Sequence, residues 1–390
     1  MKKIFLLTAV ALAAIAAASC NKPVPEQMPE AIAQDTYGNL RVNFRMPAPA
    51  GVTKALTTAT DETKINSVHV FVFNKETKKR ETDRYEQIPA TATAIHDSYT
   101  MTLTSLTGSK IVWAVLNSPR ITDVVDETAL KQKVSDLGEN SVTGLLMTGF
   151  NDNVTVAETN ANVPSQQDVV TDAAISVYRL GARISLEKVT VDFSGTDLDG
   201  ATFEVTGLYL KNVAGKVRLD GESSGAGIDL GQPASWYNLG NQAAVNAAPA
   251  AVQALTRDMA ATMSINCPSN GTDKPMGYSW YVYPNATSLA NDTYAAANAQ
   301  GVFSVPRRTR LVIKAHLSGT AVSGALNEDT YYVFSIPEIV RNHAYNITEL
   351  KITMRGKPND DDDTPTNSGQ LNATVTVQGW AGEETLTFSF

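Results

Sequence analysis

From Asn39 to Met46 apolar and polar residues alternate one for one, with Leu40, Val42, Phe44 and Met46 on one side and Asn39, Arg41, Asn43 and Arg45 on the other. A period of two marks a strand with one buried face. The pattern returns late in the chain, where Leu371, Ala373, Val375 and Val377 alternate with Asn372, Thr374, Thr376 and Gln378, and again at Leu386, Phe388 and Phe390. Ile65 to Phe73 differs, because Val68, Val70 and Val72 face one way while His69, Phe71 and Phe73 face the other. Apolar groups on both sides predict a strand covered on both faces, hence a central one.

Asn74 to Arg84 is charged and reads as an exposed turn. Strands are expected at 98–104, 111–116, 145–150 and 175–180, with one helix at about 126–137, where Leu130, Val134 and Leu137 recur at helical spacing. Gly181-Ala182 punctuates the series. A second set of strands follows at 183–193, 201–212, 279–283, 310–317, 331–336 and 345–353. The Gly, Ala, Asn and Ser-rich stretch from about 214 to 300 reads as long loops between strands. Repeated short strands with turn signals predict a mainly β chain built from β-sandwiches with a few short helices.

Composition adds an address. Met1-Lys2-Lys3, an apolar run from Ile4 to Ile15 and the small residues Ala16 to Ser19 describe a secretory signal too short to span a bilayer permanently. Cys20 directly after them resembles a bacterial lipobox, which implies cleavage before Cys20 and its acylation, palmitate included. Asn21-Lys22 in the next positions favours the outer membrane. Residues 20–36 then read as a tether between lipid and fold. A net charge of -8 argues against a nucleic-acid partner. Of the two cysteines, acylation consumes one, so Cys267 has no intrachain disulfide partner.

Gly356-Lys357-Pro358-Asn359 and the run Asp360 to Asp363 read as a linker, because adjacent like charges with Pro and Gly neither fold nor pack. Two alternating strands beyond a spacer are what a donated segment needs. A matching slot would arise if the first strand were cut away. Arg41 and Arg45 lie inside that strand, whereas Lys54 follows Pro47 and Pro49 in a loop, so cleavage is expected between Lys54 and Ala55.

At these positions the chain resembles the fimbrillin family, the lipoprotein-derived subunits of type V pili from Gram-negative anaerobes. The resemblance rests on Cys20 after a signal and on Lys54-Ala55 before Val-His-Val-Phe-Val-Phe. It rests further on Val177-Tyr178-Arg179-Leu180-Gly181-Ala182-Arg183-Ile184, Val282-Tyr283-Pro284-Asn285, Arg341-Asn342-His343-Ala344-Tyr345 and Val377-Gln378-Gly379-Trp380. It implies two tandem transthyretin-like β-sandwiches with a C-terminal donor-strand extension, an Arg/Lys-specific extracellular protease as a partner, and polymerisation by strand exchange.

The expected organisation is therefore a signal peptide at 1–19, a tether at 20–36, one sandwich at 37–182 with strand 39–46 removable, a second at 183–356, and linker plus donor strands at 357–390. The displaced residues are Leu40, Val42, Phe44 and Met46. The donated residues are Leu371, Ala373, Val375, Val377, Leu386, Phe388 and Phe390. The expected partners are identical or related pilus subunits, the protease, outer-membrane lipid and surface ligands of host or bacteria. The precursor would be lipid-anchored at the outer membrane and the product an extracellular fimbria.

No enzyme, cofactor or metal site is expected. His69, His96, His316 and His343 are the four histidines and none stands at helical metal-ligand spacing. A Gly-x-Ser-x-Gly elbow is absent in the right context. His96-Asp97 reads as turn chemistry, Trp280, Tyr281 and Tyr283 as core, and Arg341-Asn342 as loop-fixing residues. The alternative reading is a monomeric outer-membrane lipoprotein adhesin or glycan-binding protein. A substrate-capture lipoprotein would need an aromatic platform, and Trp113, Trp236, Trp280 and Trp380 are scattered along the chain.

Overall fold

A computed structural model describes residues 35–46, 61–90, 95–140, 143–159, 169–211, 213–214, 216–221, 237–238, 265–268, 272–285, 308–360, 371–379 and 386–389. Cys20, Lys54, Ala55 and Phe390 lie outside them. The chain divides into Met1–Asp35 and Thr36–Phe390, and the second unit holds all of the strands described here.

Its principal strands are β1 Tyr37–Arg45, β2 Ser67–Asn74, β3 Arg80–Gln87, β4 Ser98–Leu106, β5 Gly108–Leu116, β6 Met147–Val156, β7 Val170–Ser176 and β8 Tyr178–Arg179. After them come β9 Ala182–Val191, β10 Thr202–Lys211, β11 Ile265–Pro268, β12 Thr272–Val282, β13 Arg310–Ala321, β14 Gly324–Ser335, β15 His343–Ile352, β16 Leu371–Gly379 and β17 Leu386–Ser389. The first sandwich stacks a three-stranded sheet, β7-β1-β4, on a five-stranded one, β8-β6-β5-β2-β3. The second pairs a five-stranded sheet, β12-β9-β15-β16-β17, with a four-stranded one, β11-β10-β13-β14.

The alternation of β1 does what its period requires. Leu40, Val42, Phe44 and Met46 are buried with Val68, Val70, Val72, Met101, Leu103 and Ile175 between the two sheets of the first sandwich. β2 lies between β5 and β3 and is buried on both faces, as its two-sided sequence predicts. Its other face, with Phe71 and Phe73 beside Trp113, belongs to a second core that runs without a break into Ile184, Phe203, Trp280 and Tyr345 of the second sandwich. The two sandwiches thus share apolar packing rather than meeting through a polar seam. Trp280, Tyr281 and Tyr283 are all buried within it, as expected of aromatic residues on a strand.

Two local expectations are corrected. The helix proposed for 126–137 is a single turn, Glu127–Lys131, capped by Asp126, whose side chain accepts the Ala129 N–H at 2.8 Å. Val134–Asp136 is instead a strand, paired antiparallel with Lys216–Arg218 from the second sandwich. That distant partner outweighs helical spacing in a segment this short. Arg80 to Arg84, read as part of an exposed turn, opens the edge strand β3. Alternating charges on an edge keep it from pairing with other chains, which is why its sequence looks like a loop.

The stretch read as a linker begins anchored. Lys357 pairs with Tyr331 through two backbone hydrogen bonds of 2.8 Å, and the Cβ of any residue other than glycine at 356 would collide with the Tyr331 carbonyl. Contrary to the view that the acidic run does not pack, Asp360 accepts from the Tyr209 hydroxyl at 2.7 Å, and its carbonyl accepts from Lys211 Nζ at 2.6 Å. Beyond residues 361–370, which lie outside the described residues, β16 pairs antiparallel with β15 and β17 with β16. In the single chain, then, the two terminal strands lie on their own second sandwich.

Candidate functional site

β1 is the feature of interest because it is internal to its sheet. It runs parallel to β7 from Asn39 to Arg45 and antiparallel to β4 from Tyr37 to Arg45, so both of its edges are hydrogen-bonded. Its N-terminal end is threaded closely: a Cβ at Gly38 would run into the carbonyl oxygen of Ala157. Only glycine leaves room for that approach.

The outward face of β1 is polar and specifically paired. Arg41 donates through Nε and Nη2 to the two carboxylate oxygens of Asp172, at 2.5 and 2.7 Å, and Asn43 Nδ2 donates to the same carboxylate at 3.1 Å. The Thr100 hydroxyl donates to Asn43 Oδ1 at 3.0 Å, tying β4 into the row. Hydrogen bonding to Arg41 holds the Asp172 carboxyl below the usual carboxylate range.

At the C-terminal end of β1 the Val177 N–H donates to the Arg45 carbonyl at 3.1 Å, and Asp97 fastens the residue that follows. The Met46 N–H donates to the Asp97 carbonyl at 2.9 Å, and the Asp97 N–H donates to the Thr63 carbonyl at 3.3 Å. Asp97 holds φ at 63°, a left-handed conformation suited to Asp in a tight turn. The segment that contains Lys54 therefore leaves and rejoins the described structure on either side of the Asp97 peptide. Of the pair read as a turn, Asp97 alone makes the bend, while His96 lies in a short strand paired antiparallel with Lys64.

Next comes a 3-10 turn, Asp61–Thr63, and with it a site that sequence reading missed. Glu62 is buried, and its carboxylate accepts from Arg183 Nη1 at 2.8 Å and from the Tyr281 hydroxyl at 2.6 Å. Its backbone carbonyl accepts from Arg179 Nε at 3.2 Å. Burial lowers the Arg179 guanidinium to about 10 and pushes the Tyr281 phenol above its ordinary range. Asn342, at a φ of 57°, closes the same junction, accepting the Arg179 N–H at 3.3 Å and donating its own N–H to the Gly181 carbonyl at 2.8 Å. Arg341 Nη1 reaches the Asp220 carbonyl at 3.3 Å. Arg341 and Asn342 thus hold the segment that enters β15 against Arg179, Gly181 and Asp220 at the junction of the sandwiches. An acidic residue in a polar stretch gave no signal of this burial; only the basic pair Arg179 and Arg183, in a strand-forming segment, hinted at a buried counter-charge.

His69 and His316 each lie beside an aspartate. His69 is fully buried with Nε2 at 3.1 Å from Asp83 Oδ2, and His316 Nδ1 lies 3.0 Å from Asp329 Oδ1 at the surface. Among the described residues no group of three or more His, Cys, Asp or Glu is gathered as a metal site would require.

Residues 39–190 match the family model of the major fimbrial subunit protein, FimA. Over this part, about two fifths of its length, the chain is similar to the fimbrillin family. The match begins in β1 and ends inside β9, so it covers the first sandwich and the junction built on Arg179, Gly181 and Arg183. At the level of fold the fimbrillin likeness extends through the second sandwich. A fimbrilin (fimA) of Porphyromonas gingivalis aligns over 89% of this chain and 99% of its own, with 16% identity and a TM-score of 0.52. Candidate cell adhesion proteins of Parabacteroides distasonis align similarly, one over 88% of this chain and 100% of its own with 14% identity and a TM-score of 0.56. Another covers 89% of this chain and 98% of its own, with 17% identity and a TM-score of 0.54. No curated protein matches in sequence.

Proposed function

We propose that the chain is a structural subunit of a surface fimbria, exported as a lipoprotein through Cys20, cut after Lys54, and polymerised when a C-terminal strand of one subunit replaces β1 of the next. Adhesion would follow from the fibre. The observation that carries this reading is β1 itself: an internal strand that together with Met46 just beyond it buries four side chains, followed by a segment containing Lys54 whose two ends are held on either side of Asp97.

Burying Leu40, Val42, Phe44 and Met46 stabilises the first sandwich by roughly 6 to 12 kcal/mol at about 1.5 to 3 per side chain, an upper figure because unfolded chains already hide some surface. Excision would leave β4 and β7 with unpaired backbone groups facing an apolar channel, a template for another strand. β16, nine residues long like β1, carries the same alternation. In the precursor both positions are filled at home, with β1 in its slot and β16 on β15. After processing, a head-to-tail exchange of β16 or β17 would not close on itself and would extend a filament.

The home position of β16 and β17 also fits a monomeric adhesin, so the test must separate the two. The full chain treated with an Arg/Lys-specific protease should begin at Ala55 and form a ladder of multimers. Truncation should be made after Asp360, since Lys357 and Asp360 hold the second sandwich. The truncated protein should be cut but remain monomeric. A start at Met46 or earlier, or equal polymerisation of the truncated protein, defeats the proposal. Cys20→Ala should abolish incorporation of labelled palmitate; continued labelling removes the lipoprotein step.

A further inference from the structure

Asp172 stands in register with Arg41 on β7, one wall of the β1 slot. Among the described residues, its three side-chain hydrogen bonds come from Arg41 and Asn43, and both residues belong to β1. The pair is half exposed, with side-chain accessibilities of 48% and 51%. Removal of β1 therefore strips the carboxylate of its partners at one stroke and leaves a negative charge on the outer rim of the slot.

What could replace Arg41 follows from period two. Any register that turns Leu371, Ala373, Val375 and Val377 inward turns Gln370, Asn372, Thr374, Thr376 and Gln378 outward. For the last strand the outward residues are Thr385, Thr387 and Ser389. Between 371 and 390 the sequence contains no Lys or Arg in any register or direction, and its charged residues are Glu383 and Glu384. Through these terminal strands a second copy of this chain can offer Asp172 only neutral donors.

We propose that Asp172 is a specificity-determining residue of the slot, favouring a donor strand from a different subunit that presents Arg or Lys on its outward face over the chain's own terminal strands. The inference rests on the strand-exchange reading. A planar guanidinium matches a carboxylate with two parallel hydrogen bonds, which a lone amide or hydroxyl cannot do. Because the site is half exposed, the preference should be about threefold to fivefold in dissociation rate rather than absolute.

The test uses the full chain cut after Lys54, with the released segment removed, and labelled peptides spanning 369–390. One peptide is unsubstituted and three carry Asn372→Arg, Thr374→Arg or Thr376→Arg. At least one arginine peptide should dissociate about threefold to fivefold more slowly at low salt, with the difference fading near 1 M salt, where screening acts within about 3 Å. The full chain already carries a charge of -8, and the segment removed is itself net basic, so the processed protein attracts any basic peptide to some extent and the deciding arm is Asp172→Asn, in which the gain should vanish. A gain that survives Asp172→Asn, or no gain with any of the three peptides, overturns the role of Asp172. If the unsubstituted peptide also fails to bind processed protein, the strand-exchange reading fails and the inference with it.

Discussion

Glu62→Gln tests the junction. The substitution keeps the side chain's shape and leaves an amide oxygen able to accept from Tyr281, now 2.6 Å away, but it removes the negative charge facing Arg183 at 2.8 Å. Arg179 and Arg183 would then share a buried site with no counter-charge from this residue, and Arg179 is already held at about 10 by burial with Glu62 present. Breaking a buried ion pair from one side costs about 3 to 5 kcal/mol; the retained hydrogen bond offsets about 1 of that, leaving about 2 to 4 kcal/mol. For a unit of this size each kcal/mol is worth roughly 2 °C of melting temperature, so calorimetry on the full chain should show a drop of about 4 to 8 °C. The exposed pair at Arg41 provides the comparison, since Arg41→Gln should move the midpoint by about 1 kcal/mol or less. Amide exchange should quicken first at Tyr178–Val191, the segment that crosses the junction. Glu62→Gln melting with the wild type, or losing stability while exchange at 178–191 stays unchanged, would refute the reasoning.

Phe44→Ala empties the largest buried position of β1 and should destabilise the precursor by about 3 to 5 kcal/mol in urea denaturation, whereas protein already cut after Lys54 should be indifferent to it. Gly38→Ala forces a methyl group onto the Ala157 carbonyl; the first strand should fray, seen as faster cleavage at Arg41 by trypsin, and unchanged cleavage there would count against the close approach. Burial lowers the affinity of His69 for a proton. The unfolded chain, with an ordinary value near 6.5, takes up a proton that the fold refuses. Stability should therefore be full above about pH 6.5 and fall as the pH drops from there toward the lower folded value, with His69→Gln flattening that part of the curve.

The strands that carry the proposed exchange were legible because a period of two needs no distant information. Leu40 to Met46 and the two-faced Val68 to Phe73 could be placed from sequence alone. Where partners lie far away the reading failed. Val134 looks helical beside Leu130 and Leu137 until Lys216–Arg218 supplies a strand to pair with. Arg80 to Arg84 looks like a turn because an edge strand is charged for the same reason a loop is. Asp360 looks like a solvated linker residue until Tyr209 and Lys211 are brought to it by β10. Glu62 was invisible for a related cause, since its burial depends on three residues more than a hundred positions downstream. The motifs that carry the resemblance are visible in the sequence, but their meeting place is not: Arg179, Gly181, Arg183, Arg341 and Asn342 gather at the junction and not at the slot.

The bonding of β1 along both flanks has a mechanical meaning. A strand held only at one edge and pulled from its end can come away one bond at a time, like a zip. A strand occupying this slot has β7 on one side over Asn39 to Arg45 and β4 on the other over Tyr37 to Arg45. Traction along its axis would load both rows together, in shear. A fibre joined through such strands would yield when a whole strand slides, so its tensile strength would rise with the length of strand seated in the slot.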